Sequence, residues 1–218
     1  HSLCKISVRT DILHKEWLIL AKKYCDDQLL IGCLWEQIEK KYAGKNRHYH
    51  NLSHIHSMLQ QAKENREQII DFDVVLFAIW FHDIIYKSSK RNNEEKSAEF
   101  ASSALKNILK EKIHFNTVAQ LIISTKSHQI ILKENNDNAF LLDFDLSVLG
   151  QDWESYKGYI QNIRKEYKLY PDFLYNPSRK KVLENFLNRK MLFFTEKYQD
   201  LFEEKARVNL IREIKLLS

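Results

Sequence analysis

The segment DVVLFAIWFHDIIY, residues 73–86, decides how the rest of the sequence is interpreted. Almost every residue before His82 is apolar and neither Pro nor Gly interrupts the run, so the segment predicts a helix in the protein interior. On that helix, apolar residues one turn before and one turn after His82 share its face. The carboxylate of Asp83 would be costly there unless a partner offsets its charge. Two interpretations stay open: the pair holds a buried cation, or it forms a neutral hydrogen-bonded plug.

The composition predicts a single all-α domain. The chain has 218 residues, 44% of them hydrophobic, which is enough for one sizeable core and favours a single-domain helical bundle over residues 1–218. The low content of 4 Gly and 2 Pro argues against a turn-rich β fold. Asn51 is the expected N-cap of the third helix, and Gly44 is the expected stop of the second. Helical periodicity predicts three helices from Trp153 onward, preceded by helices over residues 11–25, 28–44, 51–68, 73–86, 93–111, 115–128 and 139–150.

Charge and cysteine content narrow the class of protein. The net charge of +5 is mild and dispersed, which disfavours nucleic-acid binding and suits an anionic small-molecule substrate. Cys4, Cys25 and Cys33 form no CxxC pair and are odd in number, as is typical of a reducing compartment. No apolar run reaches membrane-spanning length and the N-terminus shows no signal-peptide core. We therefore expect a cytoplasmic protein without a membrane partner.

Histidines are concentrated in one short stretch. Four of the 9 histidines lie in HYHNLSHIH, residues 48–56. His50 and His54 are four residues apart, so on a helix they would stack on one face. A surface cluster in the first turn of a helix is one interpretation. The alternative, which we favour, is that one imidazole binds a metal while its neighbour handles a proton.

A further acidic residue lies in AFLLDFDLSVLG, residues 139–150. Asp145 has apolar helical neighbours, whereas Asp143 points roughly 200° away on a regular helix and should not serve the same site. Asp145 therefore needs a counter-charge, unless it is a buried cap or makes a structural hydrogen bond. Two imidazoles and two carboxylates together would neutralise a divalent cation and leave positions open for water and substrate. The four residues are His54, His82, Asp83 and Asp145.

This His…His-Asp…Asp pattern resembles the signature of the HD superfamily of metal-dependent phosphohydrolases, which are all-α proteins. YHNLSH, residues 49–54, is similar to the YHNxxH motif of cyclic-nucleotide phosphodiesterases, and FDLSVLG resembles the segment that supplies their final metal-binding Asp. The chain also resembles a small bacterial group of predicted HD phosphohydrolases over residues 47–167. The shared segments are RHYHNLSHI, WFHDIIY, NEEKSAEFA, LLDFDLSVLG and YKGYIQNIRKEY. The chain is shorter than the phosphodiesterases and has no counterpart of their nucleotide-binding glutamine, so their substrate is not carried over.

The resemblance implies an HD-type domain with a motif core over about residues 47–150, helical extensions at both ends and additional C-terminal helices. It implies that His50 is the proton donor and that Asp83 also reaches any second cation. The implied cofactor is one or two divalent ions, which could be Mn, Fe, Co, Ni, Zn or Mg. The implied reaction is hydrolysis of a phosphoester or phosphoanhydride of a nucleotide or another small phosphorylated metabolite. The implied metal ligands are His54, His82, Asp83 and Asp145.

Five further residues are candidates for contacts around the substrate. His128 could serve a second ion or bind phosphate, or could simply complement a helix C-terminus. Arg47, Lys87 and Lys126 lie next to motifs and could bind a phosphate, although a solvated surface residue is the favoured interpretation of each. Glu94 opens a helix and is assigned either a substrate-side role or a favourable interaction with the helix dipole.

Two other functions compete with hydrolysis. A non-catalytic HD scaffold that binds a nucleotide or a partner protein is the main alternative, but a complete ligand set accompanied by His50 favours an enzyme. RNA binding is disfavoured by the dispersed charge. The aromatic-rich segment 186–202 has helical spacing, so it is expected to pack in the core or in a homodimer interface.

Overall fold

The computed structural model describes residues 2–109 and 115–217, with side chains from residue 10 onward. This part of the chain forms α-helices joined by loops and contains no strand, so the predicted all-α class is confirmed. None of its helices is both long enough and apolar enough to cross a bilayer. The ten helices are α1 (Ser2–Ala21), α2 (Gln28–Tyr42), α3 (Leu52–Glu64), α4 (Phe72–Phe81), α5 (Asn93–Ile108), α6 (Phe115–Ser124), α7 (Asp137–Leu146), α8 (Trp153–Glu166), α9 (Asp172–Leu187) and α10 (Glu196–Leu216).

Helix α4 lies at the centre of the fold. Its residues from Val74 to Phe81 are buried except Leu76, as expected for a helix that is apolar on every side. It packs against α3, α5, α6 and α7. The rings of Trp17 and Trp80 meet edge to face at 5.9 Å and connect α4 to α1. The hydrophobic core continues from Leu13 to Leu210, so helices from both ends of the chain share one core with α4.

The predicted helix over residues 73–86 ends earlier than expected. The last helical residue is Phe81, His82 is the C-cap, and Asp83 lies in the following turn. The guanidinium of Arg47 donates to the carbonyls of Asp83 at 2.6 Å and Ile84 at 2.9 Å. A side chain from elsewhere thus satisfies carbonyls that a longer helix would have bonded internally. Because these carbonyls are already bonded, the helix can end at Phe81, and the turn that follows exposes Asp83 to a cavity.

Two local end signals are confirmed. The Asn51 side chain accepts from the Ser53 amide at 2.8 Å and caps α3, as predicted. Helix α2 ends at Tyr42 with Ala43 as its C-cap, so Gly44 directly follows the cap, as expected for a glycine that stops a helix.

The C-terminal part contains the three predicted helices, α8, α9 and α10. The Asp143 carboxylate is fully buried and accepts from the Phe194 amide and from the amide and hydroxyl of Thr195, at 2.6 to 2.8 Å. It therefore fixes the start of α10, and the prediction that Asp143 and Asp145 serve different sites is confirmed. Leu192 and Phe193 are buried, which confirms core packing for this part of segment 186–202.

Candidate metal centre

Four side chains from three parts of the fold converge as predicted. His54 comes from α3, His82 and Asp83 from the turn after α4, and Asp145 from the end of α7. The two Nε2 atoms lie 3.2 Å apart, and His82 Nε2 lies 3.1 Å from Asp83 Oδ2. Asp145 Oδ1 lies 3.2 Å from His54 Nε2 and 3.9 Å from His82 Nε2. His54, His82 and Asp83 together offer ligand atoms within 4.8 Å of one another.

The donor set fits a divalent cation. Adjacent ligand atoms bound at about 2.1 Å to one dication lie about 3 to 3.5 Å apart, close to the shorter separations here. His82 Nδ1 lies 2.9 Å from the Ile79 carbonyl, which can only accept, so Nδ1 carries a proton and the neutral imidazole presents the Nε2 lone pair to the cluster. In the described residues, Asp83 and Asp145 form ion pairs with histidines and with no lysine or arginine. The cluster is therefore rich in acceptors and short of positive charge.

The pKa shifts of the clustered carboxyl and imidazole groups reflect the same lack of positive charge. Burial raises the carboxyl pKa of Asp83, but His82 and His50 outweigh it and hold the pKa well below its usual range. Burial likewise opposes ionisation of Asp145, and hydrogen bonds from His128 and His54 hold its pKa well below the ordinary value. Burial lowers the pKa of His82, but the Asp83 charge brings it to about 9. A proton on His82 would offset one carboxylate, whereas a divalent cation would offset both.

His50 lies beside the cluster, although not on the predicted helix face. Helix α3 begins at Leu52, so His50 belongs to the preceding loop, and its ring centroid lies 6.2 Å from that of His54. Its Nδ1 lies 2.6 Å from Glu166 Oε2 and its ring stacks on Tyr86 at 4.1 Å. A carboxylate can only accept, so Nδ1 donates and Nε2 stays available. Burial lowers the pKa of His50, but Asp83 and Glu166 raise it above its ordinary value.

Glu166 is a site residue that the sequence analysis missed. Its Oε1 accepts the backbone amides of His48, Tyr49 and His50 at 2.7 to 3.0 Å, so one buried carboxylate shapes the whole histidine loop. Burial raises its carboxyl pKa, but the bonds from His50 and these amides lower it overall. The available signal was an acid on the inner stripe of α8, where Ile163 is also buried.

His128 positions Asp145. Its Nε2 lies 3.1 Å from Asp145 Oδ2, and its carbonyl accepts from Arg189 Nη1 at 2.9 Å. The His128 backbone has φ 47°, a left-handed conformation that costs about 1 to 2 kcal/mol outside glycine. The strained backbone aims the imidazole at Asp145. Contact of His128 with a second ion or a phosphate stays a prediction.

The predicted phosphate-binding cations are engaged elsewhere or lie off the cavity. Arg47 donates to the carbonyls of His50, Asp83 and Ile84, so its guanidinium joins the histidine loop to the turn after α4. Lys126 forms an ion pair with Glu95. Lys87 is exposed and does not line the cavity. Phosphate contacts by these three residues stay predictions, and their placement does not favour them.

A cavity of about 650 Å³ opens over the cluster, a size typical of small-molecule sites. Asp83 and Asp145 are on its floor, with side chains 13% and 14% exposed. Glu94 lines it as predicted, and burial raises the pKa of its carboxyl group. The cations on its lining include the exposed Lys90 and Arg91. The loop after the His82–Asp83 pair thus brings positive charge to the cavity. The sequence analysis had named other cations as candidates, namely Arg47, Lys87 and Lys126.

Comparison with protein-family models, with curated proteins and with solved structures finds no match to this chain. The function must therefore be inferred from the residues of the cavity and their geometry.

Proposed function

We propose that this chain is a divalent-metal-dependent phosphohydrolase that acts on a phosphoester or phosphoanhydride of a nucleotide or another small phosphorylated metabolite. One observation carries the proposal. Four metal-type ligands converge, without a lysine or arginine partner in the described residues, at the floor of a cavity large enough for such a substrate. The HD-type motifs in the sequence support the same reaction.

The chain's own residues have distinct tasks in this reaction. His54, His82, Asp83 and Asp145 would hold the cation, which supplies an activated water near neutral pH and polarises a phosphoryl oxygen. The Nδ1 atom of His50 carries the proton that it donates to Glu166. Its Nε2 atom can carry a second proton, because the pKa of His50 is raised. It would give that proton to the departing oxygen as the bond to phosphorus breaks.

A non-catalytic scaffold is the second candidate. It would need the same ligand set to hold a nucleotide through a metal. The pairing of His50 with a buried carboxylate at 2.6 Å favours the enzyme, because a scaffold has no need for an imidazole whose protonation is tuned beside the cluster.

Metal analysis combined with a substrate panel tests the proposal. Purified protein should contain a stoichiometric first-row metal, and His82→Ala should lose it. The matched control is His14→Ala, whose ring stacks on Trp35 away from the cluster. Phosphomonoesters, phosphodiesters and nucleoside phosphates are then assayed with Mn²⁺, Co²⁺, Zn²⁺ and Mg²⁺. Hydrolysis that disappears in His82→Ala supports the enzyme, metal without hydrolysis supports the scaffold, and protein that binds no metal overturns both.

A further inference from the structure

The cavity has a second polar region, on the wall formed by α8 and α9. Tyr175 and Arg179 are four residues apart on α9, so they project from one face of that helix, and Tyr159 comes from α8. All three line the same cavity as Asp83 and Asp145. None of the three has a role in the reaction described above.

Arg179 is held in a fixed orientation. Its Nε and Nη2 donate to the two oxygens of Glu213 at 2.7 and 3.1 Å, and Nη2 also approaches the Tyr159 hydroxyl at 3.3 Å. Glu213 additionally accepts from the Tyr156 hydroxyl. The Arg179 side chain is only 11% exposed, and within the described residues no bond engages its Nη1. A preorganised guanidinium therefore presents unused N–H donors to the cavity.

Tyr175 carries an unpaired polar atom at the same place. The residue is 6% exposed, and its hydroxyl is buried without a hydrogen-bond partner in residues 2–109 and 115–217. Burial raises its pKa to about 12, so the hydroxyl is protonated and can donate at neutral pH. Buried hydroxyls are almost always paired, so an unpaired hydroxyl on a residue that lines the cavity is a group that a ligand can pair.

The two polar regions are joined along one wall of the cavity. The guanidinium of Arg179 lies 5.4 Å from the Tyr159 ring, and that ring meets Tyr49 at 4.7 Å. Tyr49 in turn meets His54 of the metal centre at 4.9 Å. Leu149 and Ile163 add apolar lining to the same cavity. A ligand that spans the two regions would therefore have polar ends and a less polar middle.

We propose that Tyr159, Tyr175 and Arg179 form a binding site for an oxyanion at the end of the substrate remote from the scissile phosphate. The substrate is then a phosphate compound with a second acidic group, either a carboxylate or another phosphate. Donors predominate in this region because Glu213 is already saturated by Arg179 and Tyr156. The inference rests on the proposed function for the scissile end and goes beyond it in naming the substrate class.

A matched series of linear substrates tests the proposal on the metal-loaded full chain. Butyl phosphate has no second acidic group, whereas 4-carboxybutyl phosphate and butane-1,4-diyl bisphosphate have one at the far end, and longer homologues vary the span. We expect kcat/KM for the best diacid to exceed that for its alkyl counterpart at least about tenfold, mainly through KM. The faster of the carboxylate and phosphate series identifies the oxyanion.

Tyr175→Phe tests the same site without disturbing a native hydrogen bond. It should reduce the diacid-to-alkyl preference about tenfold while the thermal midpoint is unchanged or higher, since the lost hydroxyl has no protein partner. Arg179→Lys should also reduce the preference, because a single ammonium group replaces the planar guanidinium and its several N–H donors. Tyr24→Phe is the control, because the Tyr24 hydroxyl bonds Asp73 and does not line the cavity.

Binding measured by calorimetry with non-hydrolysable butane-1,4-diyl bisphosphonate and butylphosphonate, each with Mn²⁺, separates this inference from the proposed function. If no phosphoester is hydrolysed but the bisphosphonate binds wild type more tightly than Tyr175→Phe, the second site stands and the hydrolase proposal fails. If alkyl phosphates are hydrolysed, but neither diacids nor Tyr175→Phe change the kinetics or the binding, the hydrolase stands and the second site is overturned.

Discussion

The contact between His50 and Glu166 yields the sharpest prediction about catalysis. Replacing Glu166 with Gln keeps the shape and one oxygen for the backbone amides of the histidine loop, but removes the negative charge 2.6 Å from His50 Nδ1. Burial lowers the pKa of His50, and Glu166 is one of the two main groups that raise it. Losing an adjacent carboxylate lowers an imidazole pKa by about 1 to 2 units, which corresponds to roughly 1.4 to 2.7 kcal/mol.

The direction of the effect follows from the role of His50 as the acid. Activity requires the protonated imidazole, so the alkaline limb of the kcat/KM profile reports the pKa of His50. Glu166→Gln should move that limb about 1 to 2 pH units toward acid, and above the limb kcat/KM should fall about 10- to 100-fold. Metal content should stay at the wild-type level, because Glu166 does not contact the four ligands.

The assay is kcat/KM from pH 5 to 9 on the best substrate of the panel, with metal measured in each preparation. Glu16→Gln serves as the control, because Glu16 pairs with Lys63 and does not line the cavity. An alkaline limb at the same pH in wild type and Glu166→Gln would refute the assignment of His50 as the acid. A large loss of metal in the variant would show instead that Glu166 supports the cluster itself.

The remaining predictions concern the ligands and their supports. His82→Ala should abolish metal binding and lower the thermal midpoint; a variant with full metal occupancy by mass spectrometry would contradict the ligand set. His50→Ala should retain metal but slow turnover about 10²-fold or more, and wild-type turnover would remove it as proton donor. His128→Ala should weaken metal affinity about 10- to 100-fold by calorimetry, because Asp145 loses its orienting bond at 3.1 Å; unchanged affinity would argue against that role. Asp143→Asn should lower the free energy of unfolding in urea by about 1 to 3 kcal/mol, because its amide group faces backbone donors; an unchanged midpoint would show that the start of α10 holds without it.

Periodicity and local end signals predicted what depends on neighbouring residues. The all-α class, the cap at Asn51 and the three C-terminal helices are confirmed, because each follows from spacing within one element. The meeting of His54 with His82, Asp83 and Asp145 was also predicted. The last three are ionisable side chains among apolar residues and need a partner from another element, and His54 stood out in the histidine-rich stretch.

Features that depend on distant residues were missed or misplaced. The end of α4 is set by Arg47, which is 36 residues from the carbonyl of Asp83 that it bonds. The loop around His50 is held by Glu166, 116 positions along the chain. Local periodicity does not reveal contacts at such separations, so Arg47 was considered only as a phosphate-binding or surface residue, and Glu166 was left without a role.

The hydrogen bonds around the cluster favour a buried cation over a neutral plug, the two interpretations that the His82–Asp83 pair left open. The Nδ1 proton of His82 points outward to the Ile79 carbonyl, so the neutral form of this imidazole has no proton at Nε2 to donate to Asp83. Asp145 is likewise oriented from outside, by His128. With these outer bonds made, neutral His82 presents a lone pair to carboxylates whose pKa values are held well below the usual range. A single proton on His82 would offset only one of the two carboxylates, whereas a divalent cation would offset both.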